Sequence, residues 1–237
     1  MSDKHLSSQF DADLNLVSRR LLEMGGLVEQ QIGRAMQALE TFDLDIVEQV
    51  LADEHQLNTM EVEIDKELSN IIARRQPAAK DLRLMMAASK TITNLERAGD
   101  EARKIVKRTR RIAEESGART INIAEIKLAG EMATRILRRA LDAFARLDTA
   151  AAAQIVRDDE AIDEQFRGFV RKLVTYMMED PRSISVGLDY LFVAKAIERI
   201  GDHATNIAEF IVYVVKGTDV RHLSHEELER RALDTKD

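Results

Sequence analysis

Two short stretches set 102 residues apart repeat one another, Leu95-Glu96-Arg97-Ala98-Gly99-Asp100-Glu101-Ala102 and Ile197-Glu198-Arg199-Ile200-Gly201-Asp202-His203-Ala204. Each reads as an apolar residue, then E-R-x-G-D, then an alanine two places later. A repeat of this period divides the 237 residues into two similar halves of about 100–120 residues. Other positions follow it at an offset of 105, where Ala35 aligns with Ala140, Phe42 with Leu147, Asp43 with Asp148, Gln49 with Gln154 and Asp53 with Asp158. The change of offset from 105 to 102 places a loss of three residues near the proline-bearing loop of each half, where such losses are tolerated.

The apolar spacing says what each half is made of. Phe10, Leu14, Val17, Leu21, Met24, Val28, Ile32, Met36 and Leu39 recur in steps of three and four, which predicts a helix over 8–41. Gly25-Gly26 inside it invites a kink or a close neighbour. A second helix over 44–75 carries Val50, Leu57, Ile64 and Ile71 at seven-residue spacing and stops at Gln76-Pro77. A third runs from about Ala79 to Glu115, with Gly117 suited to its C′ position. The plan then restarts, with helices over 121–147, up to Glu179 before Asp180-Pro181, and from Ser183 to Lys216 before Gly217. Ser224-His225-Glu226-Glu227 has the capping-box pattern of a short terminal helix. Two prolines and 4% aromatic residues agree with long helices rather than sheets. The expected fold is all-α, two tandem three-helix bundles related by duplication, over 1–117 and 118–237, with a short C-terminal helix.

The repeated motif carries the chemistry. On a helix Glu96 and Asp100, like Glu198 and Asp202, lie on one face about 5–6 Å apart at Cβ. Like charges so placed weaken an isolated helix by about 0.2–0.5 kcal/mol, and a mid-helix glycine costs about 1 kcal/mol relative to alanine. Both features at matching positions point to a metal site, a tight helix crossing, or the persistence of an old duplication. In the second half, Leu191, Glu198, Asp202 and Glu209 form one strip on the sixth helix, and the fifth offers Asp158, Asp159, Glu160 and Asp163. Paired oxygens on facing helices suit a hard, oxygen-preferring cation. In the first half the strip runs into Arg103, Lys104 and Lys107, Asp100–Lys104 is an i,i+4 ion pair, and Glu54 and Asn58 stand where the second half has Asp159 and Asp163. A solvated salt-bridge face is the alternative in both halves, and the second half is the better candidate for metal.

Zero cysteines exclude disulfides, thiolate ligands and a cysteine nucleophile. No Glu-x-x-His pair accompanies the acids, which argues against a ferritin-like oxidase or iron store. His222 and His225 could share a metal but sit in a polar tail. The basic run Arg103-Lys104, Lys107-Arg108, Arg110-Arg111 suits anions, an acidic membrane surface, or simply a solvated helix end. A net charge of −7 argues against direct nucleic-acid binding. With no apolar run behind Met1 to His5, no secretory signal is expected, and the apolar stretch 204–215 is too short to span a bilayer. No glycine-rich phosphate loop or catalytic triad is recognisable, so the chain reads as a non-enzyme.

The duplicated E-R-x-G-D segment, with His5 to Asp11, Leu22 to Glu29 and Phe210 to Gly217, resembles the PhoU family across essentially the whole chain. That resemblance implies a cytoplasmic homodimer that represses the phosphate-starvation response and phosphate uptake. It implies an adaptor that joins the phosphate ABC importer, through its nucleotide-binding subunit PstB, to a PhoR-type histidine kinase, in peripheral association with membrane complexes. It also implies a divalent-metal or iron cluster on paired E/D-x-x-x-D motifs. Glu96, Asp100, Glu198 and Asp202 match those motifs fully, Asp159 and Asp163 match the fifth-helix pair, and Glu54 matches while Asn58 departs. A carboxylate-rich metal-storage bundle and a purely structural adaptor are the competing readings.

Overall fold

The computed structural model of the chain describes residues 8–77, 79–115 and 121–234. Among them run seven α-helices: α1 (Ser8–Thr41), α2 (Leu44–Arg75), α3 (Ala79–Glu114), α4 (Ala124–Arg146), α5 (Thr149–Glu179), α6 (Ile184–Lys216) and α7 (His225–Leu233), with a 3-10 turn at Pro181–Ser183 before α6. The expected helices are all present. Gly117, the expected C′ residue of α3, lies outside the described residues, as does the 117/118 boundary. No described helix is long and apolar enough to cross a membrane.

The two halves turn by the same device. Phe42 and Leu147, aligned by the duplication, both take left-handed backbone, with φ of 54° and 52°. Such a residue costs about 1–2 kcal/mol unless it is glycine. The aspartate that follows offsets the cost as an N-cap: Asp43 accepts from the Asp45 amide, and Asp148 from the Ala151 amide. Gln76, also left-handed, ends α2, and Gly217 ends α6 at φ 70°. The 3-10 turn at Pro181–Ser183 stands where α3 has its first turn, so the lost residues belong to the α2–α3 connection. Ser224 caps α7 by accepting from the Glu227 amide.

Packing follows the apolar stripes. Val50, Leu57, Ile64 and Ile71 of α2 are all buried, as is every α1 stripe residue except the half-buried Leu14 and Met36. α1 runs unbroken through Gly25; a Cβ there would overlap Leu141 of α4, so the glycine admits the second half. Within each half the three helices pack on one another, and the halves join through α1 against α4 and, most extensively, α3 against α6. α3 and α6 run antiparallel, with Asn94 meeting His203 and Asn206, and Arg108 meeting Asp189. The duplication maps this seam onto itself. Lys90 lies over the Phe210 ring at 5.6 Å and Arg108 over Phe192 at 4.3 Å, and the 102-residue shift exchanges cation and ring between the two ends.

Candidate functional site

The E-R-x-G-D motifs sit at the middle of α3 and α6, where each crosses the second helix of its own half. Their glycines serve the crossing. A Cβ on Gly99 would overlap Leu57 of α2 and crowd Gln31 Oε1 of α1 at 2.9 Å; one on Gly201 would overlap Asp159 Oδ1 of α5 and crowd Ile162 at 3.2 Å. Leu57 and Ile162 are duplicates of each other. Gly201 therefore makes room for an acid as well as for a helix. Gly201→Ala should lower stability by about 1–2 kcal/mol, because overpacking costs about 1–3 kcal/mol and improved helix propensity returns up to about 1 kcal/mol. Gly26, with open space around it, is the control: Gly26→Ala should be neutral or stabilising in the same denaturant melts.

In the second half Asp159 and Asp163 of α5 face Glu198 and Asp202 of α6. Burial, then the Asp202 charge, then those of Asp163 and Glu198 push the Asp159 carboxyl up to about 7, against a downward pull from the Thr205 hydroxyl. Asp202 is raised by desolvation and by Glu198, although its side chain stands at the open rim. Lys195 is taken up by Glu198, and Arg167 approaches Asp163 at 3.9 Å. No basic side chain among the described residues comes within ion-pair distance of Asp159 or Asp202. The Thr205 Oγ1 beside them is buried and makes no hydrogen bond of good geometry. Two other acids of α5 point elsewhere, Asp158 to Arg139 of α4 and Glu160 to His225 at 2.8 Å. His225 is thereby committed to Glu160.

Glu209, expected to support this strip, does not. It lies two turns beyond Asp202, where burial raises it to about 7 and its charged neighbours are Arg221, Asp219 and His225 of the C-terminal segment. The segment after α6 folds back over that end of the helix, a contact the strip projection could not contain.

The first half is wired differently. Arg103 Nη1 lies 2.7 Å from Glu54 Oε1 and Nη2 lies 2.9 Å from Asp100 Oδ1, so one guanidinium bridges α2 and α3. The expected Asp100–Lys104 pair does not form, because Arg103 takes Asp100 and Lys104 turns to the buried Glu101 at 2.8 Å. Asn58 is exposed, and Glu61 of α2 supplies a further acid instead. Desolvation and Asp65 raise Glu61, while desolvation and Asp100 raise Glu96. The basic run at the end of α3 is mostly spent internally, on Glu54, Asp100, Glu101, Asp189 and Glu48. Among the described residues no three His, Asp or Glu side chains are drawn close enough to ligate one ion.

Sequence reasoning missed the seam itself. Asn94 Oδ1 accepts from Asn206 Nδ2 and meets His203 Nδ1, both at 3.1 Å. Burial, then Arg97, Arg199 and Lys104, lower His203 to about 4, so its ring is neutral. Near one end Asp189, only 1% exposed, is held by Arg108 at 2.8 Å and Arg111 at 3.5 Å. A lone aspartate inside the apolar start of α6 was the available signal.

Comparison with known proteins fits this architecture. A PhoU domain model matches residues 21–109 and again 126–211, one match per half. A phosphate-specific transport system accessory protein PhoU homolog of Burkholderia sp is 59% identical over 98% of this chain and all of its own length. The Escherichia coli K12 protein of the same description, PhoU, is 44% identical over 96% of this chain and 94% of its own. The crystal structure of PhoU from Pseudomonas aeruginosa superposes with a TM-score of 0.84 at 45% identity, over 88% of this chain and 100% of that one. The phosphate transport system regulatory protein PhoU of Streptococcus pneumoniae gives 0.82 at 26% identity, over 89% of this chain and 99% of its own. With both repeats matched and relatives aligned over nearly their whole length, the chain belongs to the PhoU family.

Proposed function

We propose that this chain is a cytoplasmic negative regulator of phosphate uptake that acts by binding partners and not by catalysis. It would work as a homodimer and link the phosphate ABC importer, through its nucleotide-binding subunit, to a PhoR-type sensor kinase. The observation that carries the reading is the near-complete alignment, over both halves, with proteins described as phosphate-specific transport system accessory proteins. The architecture is consistent with an adaptor: two like bundles are joined into one body through α3 against α6 and α1 against α4. Deleting the gene should leave phosphate-starvation genes expressed in phosphate-rich medium, as read by a reporter fusion. Continued repression would overturn the regulatory reading. A pull-down from membranes with and without phosphate identifies the partners.

A cation on the second half is the further reading, favoured by the mutual facing of Asp159, Asp163, Glu198 and Asp202. Four carboxylates with the Thr205 hydroxyl beside Asp159 suit a hard divalent or ferric ion, provided Lys195 releases Glu198 and the carboxylates draw closer together than they stand in the fold. Bound there, the ion would neutralise the facing acids and tie α5 to α6. In the first half Arg103 already stands between Glu54 and Asp100, so that pair does not fit a metal. Metal analysis of protein purified without chelator separates a regulatory ion, at one or a few per chain, from storage, at many.

A further inference from the structure

We propose that Arg103 is the resident cation of the first half, filling between α2 and α3 the bridging position that the second half leaves open to an external cation. The proposal rests on the second-half metal reading above only for the identity of what enters there. The duplication aligns Glu54 with Asp159, Asp100 with Asp202 and Arg103 with Thr205. At the first set one guanidinium reaches both acids, each through its own nitrogen, at 2.7 and 2.9 Å, and those acids come from different helices. This is the work of a bridging metal ion done by a side chain. The group is 27% exposed, its Nε is buried, and a guanidinium does not lose its proton, so the charge between the two acids is permanent.

At the second set the side chain is a threonine, too short to bridge, with its hydroxyl buried and without a hydrogen bond of good geometry. The nearest ammonium, Lys195, belongs to Glu198. The two halves therefore share a backbone plan but differ in control. The α2–α3 clamp is closed by the chain itself, and the α5–α6 clamp is closed only when a cation arrives. A change in cation supply would tighten one half against an unchanged partner.

The test is thermal melting of the full chain after chelator treatment, at pH 7.5 and low salt. Thr205→Arg should melt about 3–8 °C above the uncharged control Thr205→Met, since it introduces up to two charge-assisted hydrogen bonds. Arg103→Thr should melt lower than the parent by a similar amount, and adding Glu54→Gln with Asp100→Asn should restore it. A Thr205→Arg protein no more stable than Thr205→Met would overturn the proposal. So would an Arg103→Thr loss that the amide substitutions fail to restore, because the arginine would then act through packing alone. Manganese chloride should raise the melting temperature of the parent and of Glu54→Gln equally and leave Thr205→Arg unmoved. A smaller rise in Glu54→Gln would show the first half taking metal and sink the proposal. If the parent does not respond to manganese, the second-half metal reading falls, and the chelated melts still decide the role of Arg103.

Discussion

Arg108→Met should lower the melting temperature by about 5–12 °C, the largest loss expected from any single surface-accessible side chain. Asp189 is 1% exposed, and Arg108 donates to its Oδ1 at 2.8 Å. Removing one member of a buried ion pair strands the other, at a cost of about 3–5 kcal/mol. Here the figure falls to about 2–3 kcal/mol, because Arg108 is 30% exposed and Arg111 still approaches Asp189 at 3.5 Å. In a chain of this length each kcal/mol moves the midpoint by about 2–4 °C. The stacking of the guanidinium on Phe192 goes with it. The duplication supplies the control. Where one end of the seam has Asp189, Arg108 and Phe192, the other has Ala87, Phe210 and Lys90, and that end packs without a buried charge. A triple variant carrying Asp189→Ala, Arg108→Phe and Phe192→Lys copies it and should recover most of the loss. If calorimetry finds Arg108→Met as stable as the parent, the Asp189 clamp contributes nothing.

The helices were legible because their signals are local. Apolar steps of three and four, the Gln76-Pro77 and Gly217 stops and the Ser224 capping pattern all act within a turn or two of chain, and each helix end that they placed falls within three residues of its expected position. The duplication was legible for the same reason. The site was only half legible. Helical spacing placed Glu198 beside Asp202 and Asp159 beside Asp163, but it could not say which acids of α5 turn toward α6. Asp158 and Glu160 turn away because α4 and α7 offer Arg139 and His225, and those partners come from other parts of the chain. Arg103 was visible in the sequence as a competitor for cations. That it reaches Glu54, 49 positions away, depends on how closely α2 and α3 cross, which Gly99 sets. The seam was the least legible part. His203 and Asn94 sit on faces whose neighbours come from the other half, and nothing in either helix alone names them.

The pH dependence of stability should be shaped by Asp159. Its carboxyl is pushed from 3.8 in the unfolded chain to about 7 in the fold, by burial and by the acids facing it. Between pH 4 and pH 7 the folded form keeps the proton while the unfolded form has lost it. The unfolded state thus binds fewer protons, and stability falls as pH rises through this window. The stabilising effect is fully present below about pH 4 and lost above about pH 7. Asp159→Asn removes the acid and keeps its shape beside Gly201. It should stabilise the protein at pH 8 by about 1–3 kcal/mol after allowing for partial access of water, and change it little at pH 4.5. Glu209, also raised to about 7, carries the same sign, so a weaker slope should remain in Asp159→Asn and shrink further with Glu209→Gln, leaving what Asp202, Glu61 and Glu96, which are raised as well, contribute. His203, lowered to about 4, works the other way. It stays neutral in the fold while the unfolded imidazole protonates, so it erodes stability below about pH 6.5. Urea melts at pH 4.5 and pH 8 decide the matter. An equal gain at both values would mean that the asparagine improves packing, and no gain at pH 8 would mean that the second-half acids do not oppose one another in the folded chain.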